Sequence, residues 1–88
     1  MPFPGGSAWS MARDISEGIV LVTERTFRSL TRGDLEQLGF ELDRALRDLR
    51  GTTYPMEDVG AIQQRNRRLS RLMGSVSQLR AFRQKNRI

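Results

Sequence analysis

The stretch 31-TRGDLEQLGFELDRALRDLRG-51 places a leucine every three or four residues. Leu35, Leu38, Leu42, Ala45 and Leu49 return to one side of a helix at 3.6 residues per turn, and Leu46 widens the stripe. Such a heptad-like seam is stable only when a second apolar surface covers it. Thr31 stands before the run as an N-cap, with Asp34 at the third helical position and Glu36 near the positive end of the helix dipole. Acid gathers in the first half, at Asp34, Glu36, Glu41 and Asp43, while Arg44, Arg47 and Arg50 load the second. Gly51 reads as a left-handed stop, so the pattern predicts a helix over 32–50.

The second surface lies just downstream. After the turn signal TTYPMEDVG, Ile62, Leu69, Leu72, Val76 and Leu79 form another seam, with Val59 at its entry. This predicts a helix over about 56–86, opened by Pro55 or Met56 with Glu57 and Asp58 in its first turn. Arg65 falls on the seam and Asn66 at its edge; a polar residue there either fixes register or partner choice at a cost in stability, or, for Arg65, snorkels outward along its aliphatic stem. The short turn folds the two helices antiparallel, Leu49 opposite Val59 or Ile62 and Leu35 opposite about Val76. At 1.5 Å per residue they span roughly 28 and 45 Å, so Leu79 and Phe82 are expected to extend past the shorter helix. The segment 15–30, or another chain, must then cover them.

That segment, DISEGIVLVTERTFRSL, is ambiguous. Asp14 and Glu17 fit a capping box, and Ile15, Ile19, Val22 and Thr26 step at helical spacing. Val20, Val22, Thr23 and Phe27 favour strands, and Gly18 weakens a helix. A helix over about 14–30 is the better reading. The opening MPFPGGSAWS reads as a flexible arm over 1–13, with Trp9 as its anchor on the helices. The expected fold is therefore all-α: a coiled-coil-like antiparallel two-helix hairpin joined by an N-terminal helix in a three-helix arrangement. It forms one domain over 14–88. Because 88 residues bury little core, oligomerisation is expected as well.

Composition removes several function classes. With no cysteine and no histidine, the chain lacks disulfides, the usual zinc ligands, a thiol nucleophile and an imidazole base. The carboxylate pairs Asp43/Asp48 and Glu36/Glu41 are five residues apart and do not face each other on a helix. The residues 4-PGGSAWS-10 lack the lysine and the spacing of a phosphate-binding loop. The reading is of a non-enzyme without cofactor, metal or small-molecule substrate. The longest apolar run, Ile19 to Val22, is far too short for a membrane span or a secretory segment, which makes the cytoplasm the default compartment.

Charge carries the remaining signal. The chain is formally +5, and eight of its fifteen basic residues lie beyond Gln63, where there is no acid. Arg65, Arg68 and Arg71 are expected to pair with Glu36, Glu41, Asp43 and Asp48 across the two helices. Arg80, Arg83, Lys85 and Arg87 then remain free to contact an anion such as nucleic acid. On the far side of the same helix Ser70, Gly74, Ser77 and Ala81 step by four, three and four: a low-profile wet face is the better reading, and a second seam of small residues that would let another backbone approach is the alternative. The first functional reading is a helical protein–protein interaction or assembly module. Its partner is a second copy of the chain or another helical protein, engaged through the leucine seams. The alternative is a small DNA- or RNA-binding protein using the basic last helix.

Overall fold

The computed structural model describes Phe3 and residues 6–88, and the described residues form four helices and no strand. The third of them, α3 (Arg32–Gly51), begins as its sequence dictates: the Thr31 hydroxyl accepts from the Asp34 amide at 3.1 Å, and the Asp34 carboxylate accepts from the Thr31 amide at 3.0 Å. The expected stop does not form, because Gly51 is the last helical residue and Thr52 caps it in extended conformation. The last helix, α4, spans Val59–Asn86 rather than starting at Met56. Thr52–Pro55 is non-helical, and Asp58 serves as the N-cap with its carboxylate accepting from the Ala61 amide at 3.0 Å.

The segment expected to be one helix over 14–30 is two helices with a break. The first, α1 (Ala8–Ser16), is capped by Ser7, whose hydroxyl accepts from the Ser10 amide, so Asp14 and Glu17 form no capping box. A helix thus occupies the arm expected to be flexible; Met1, Pro2, Pro4 and Gly5 lie outside the described residues. The chain leaves α1 at Gly18, whose φ of 78° is costly for any residue with a Cβ. The β-branched Ile19, Val20, Val22 and Thr23 then stay out of a helix, in accord with their low propensity. Thr23 restarts the helix as the cap of α2 (Glu24–Arg28). A Cβ on Gly18 would lie 2.9 Å from Arg71 Cζ, and the Arg71 guanidinium donates to the Ser16 carbonyl at 3.0 Å. Gly18→Ala is expected to lower stability by about 1–2 kcal/mol, read as a fall in urea midpoint at constant slope.

Core formation explains the packing. Leu35, Leu38, Leu42 and Leu46 from α3 meet Leu72, Val76, Leu79 and Phe82 from α4, and Met11, Ala12 and Ile15 of α1 close the cluster. Leu49 and Leu69 are only partly buried at its margin. Phe27 of α2 is buried against Phe82, ring centroids 5.4 Å apart, so the 15–30 segment does cover the end of α4. Lys85 Nζ holds the same end by donating to Glu24 Oε1 at 3.2 Å. That hydrogen bond and the charges of Lys85 and Arg28 depress the Glu24 pKa below its ordinary value.

The register differs from expectation by roughly two helical turns. Glu36 pairs with Arg83 at 3.7 Å, a Cβ on Gly39 would lie 3.4 Å from Leu79, and Phe40 and Asp43 share a groove with Val76 and Arg80. The start of α3 is therefore level with the end of α4. The two alignments place Arg65 differently. The expected alignment sets this charged residue inside the α3 seam, where an unpaired charge is expensive. The observed one pairs the leucines with the continuous apolar run Leu72–Phe82 and leaves Arg65 beyond the core.

Candidate interaction surface

Helix lengths convert that register into a protrusion. With 20 residues in α3 and 28 in α4 and their far ends level, about eight residues of α4 extend past α3, some 12 Å at 1.5 Å per residue. This overhang runs from Val59 to Asn66, and the connecting residues 52–58 rise beside it. From Arg47 to Arg71 no side chain is buried. Yet this region holds apolar side chains: Met56 is 87% exposed and Val59 58%, and Ile62, Leu49 and Leu69 are half-buried. The four expected seam residues of α3 from Leu35 to Leu46, and Leu72, Val76 and Leu79 of α4, lie inside the chain's own core. Leu49, Ile62 and Leu69 remain at an accessible edge.

The charge pattern differs from the expected one. Arg83 and Lys85 are engaged, with Glu36 and Glu24 respectively, and Arg83 Nε also donates to the Ile88 carbonyl at 3.0 Å. Arg87 is the left-handed C-cap of α4, and Arg80 borders Glu36 and Asp43 in the α3–α4 groove. Two of the four tail cations are thus ion-paired, while Arg80 and Arg87 form no ion pair among the described residues. Arg65, Arg67, Arg68 and Arg71, expected to pair with α3, form no ion pair among the described residues. The same register produces this, since the acidic half of α3 lies beside residues 76–83, while Arg67, Arg68 and Arg71 are level with the arginine-bearing end of α3 and Arg65 lies in the overhang. Arg65 Nε is fully covered and has no acceptor.

Within the chain the small-residue stripe faces outward. Ser70, Gly74, Ser77 and Ala81 are all exposed, and a Cβ on Gly74 would meet nothing within 4 Å. Ser75, one position from the glycine, is the serine the core takes in. Gly74→Ala is therefore expected to stabilise the protein by up to about 1 kcal/mol, seen as a higher melting temperature. Trp9 is half-exposed beside α3, with the Arg13 guanidinium 5.0 Å from the ring centroid. Among the described residues no three carboxylates gather closely enough to hold a metal, and no helix is long and apolar enough to cross a membrane.

The overhang was hidden from sequence reasoning because its residues look like seam continuation. The one available signal was Arg65 in a leucine register, which marks where pairing stops. No family model matches this chain, and comparison with curated proteins and with solved structures finds no significant match.

Proposed function

We propose that this protein is a helical interaction module that docks another protein on the α4 overhang. The observation supporting this is the stretch from Arg47 to Arg71, in which no side chain is buried, Met56 and Val59 are exposed, and Leu49, Ile62 and Leu69 are only partly covered by the rest of the chain. The four-helix body buries its leucine seams internally, so those seams need no second copy; the surplus lies at the overhang. A helix laid beside Val59, Ile62 and Leu69 would extend the core by the helix-in-groove mode.

The test is a photo-crosslinking residue placed at Val59, with Phe40, an exposed aromatic on the body, as the comparison site. Adducts with another protein are expected from position 59 and not from position 40, with loss of the adduct in Ile62→Asp. Equal labelling at both sites, or none, would remove the overhang as a docking surface. Nucleic-acid binding is the second reading, favoured by the unpaired Arg65, Arg67, Arg68 and Arg71. It requires duplex affinity that falls steeply with salt, with a slope reduced by about 0.9 for each phosphate-contacting arginine replaced.

A further inference from the structure

We infer that the protein binds anionic membrane surfaces through the crossing between α1 and α2, independently of the docking reading above. α1 ends at Ser16 and α2 begins at Glu24, and the residues between them run outside any helix. Val20 and Val22 are partly buried and pack against the core. Alternate side chains of an extended chain point opposite ways, so the residues beside them face solvent. A crossing that only spans the gap would place polar side chains there. This one places Ile19, 68% exposed, and Leu21, 85% exposed.

Charge lies beside this apolar tip. Ile19 shares a groove with Gln64, Arg67, Arg68 and Arg71 of α4, and Leu21 shares the adjoining one with Arg71. The three arginines meet there because positions 64, 67, 68 and 71 return to one side of a helix. None of the three forms an ion pair. Glu17 is the single carboxylate lining the groove, against three guanidinium groups. The Arg71 guanidinium donates to the Ser16 carbonyl at 3.0 Å, a neutral acceptor that fixes its position and leaves its charge in place.

An anionic bilayer surface answers both features. The boundary between headgroups and acyl chains takes Ile19 and Leu21, and the lipid phosphates take the arginines; binding strengthens with the apolar area buried and with attraction to anionic lipid. Other occupants answer one feature alone. A nucleic acid engages the arginines and leaves Ile19 and Leu21 in water. A stable protein interface buries about 800 Å² on each partner, far more than two side chains on a short crossing supply. A second copy sets one arginine cluster against another.

The test is flotation of the full chain with vesicles of phosphatidylcholine alone or mixed with phosphatidylserine. Binding is expected only to the mixed vesicles. Arg67→Gln together with Arg68→Gln should weaken it about thirtyfold, at about fivefold for each arginine near an anionic surface; Arg71 is left in place because it also holds Ser16. Ile19→Ser together with Leu21→Ser, both at exposed sites, should weaken it at least about tenfold with the melting temperature unchanged. Failure to float with the mixed vesicles overturns the inference, as does equal flotation with neutral ones. Binding that survives the double serine change removes the crossing from the contact. Duplex DNA bound in place of vesicles, lost with the arginines and indifferent to Ile19 and Leu21, assigns the cluster to nucleic acid instead. None of these outcomes alters crosslinking at position 59, so the overhang is judged separately.

Discussion

Leu42→Asp is expected to leave the chain unfolded at room temperature. Leu42 is fully buried at the middle of α3, among leucines of α3 and α4. The substitution removes about 1.5–3 kcal/mol of burial and adds the cost of an unpaired carboxylate in an apolar site. A chain of 88 residues has roughly 4–13 kcal/mol of total stability at typical values per residue. Leu72→Asp meets the same fate from the facing helix, where Leu72 is equally enclosed. Loss of the helical circular dichroism signal at 222 nm is the expected result for both. A variant that keeps full helicity and an unchanged melting temperature would show that these leucines do not form the core.

Phe27→Ala is the second large effect. Phe27 is 1% exposed and lies against Phe82 with the rings tilted by 44°. Replacing a buried phenylalanine by alanine costs about 3–5 kcal/mol. Here α2 has only five residues, too few to hold a helix alone, so its place depends on this one side chain and on Glu24 reaching Lys85. The melting temperature is expected to fall by at least about 12 °C, from 4–8 °C per kcal/mol in a domain of this size. Phe40→Ala supplies the contrast. Its ring is 60% exposed, and the expected change stays within about 0.5 kcal/mol. If the two variants melt alike, α2 is not anchored by its aromatic contact.

How much of this was legible in the sequence depended on the kind of signal. The α3 helix and its Thr31 N-cap follow from local spacing and are present, with Leu35, Leu38, Leu42 and Leu46 buried and Ala45 and Leu49 only partly so. The all-helical class follows from the same periodicity. The break at Gly18 was present as mixed propensity, but local pattern cannot tell a tolerated glycine from one that takes positive φ. The charge pairing failed for a different reason. Which arginine meets which carboxylate depends on register, and register is a comparison between two whole alignments rather than a property of any window. Once Glu36 lies beside Arg83, the fates of both arginine groups follow.

The level ends of α3 and α4 also give one unbroken helix two lifetimes. Amides of α4 from Leu72 to Phe82 sit over the shared core, and their exchange with solvent deuterium requires global unfolding. Those from Ile62 to Arg67 belong to turns with no buried side chain, restrained by their own backbone bonds, the Asp58 cap and partial cover from the rest of the chain. Their exchange should be faster by orders of magnitude, with the transition near Leu69. Uniform protection along α4 would contradict this. Because the opening of those first turns is separate from the unfolding of the body, the arm can order and disorder on its own timescale while the rest of the molecule stays folded.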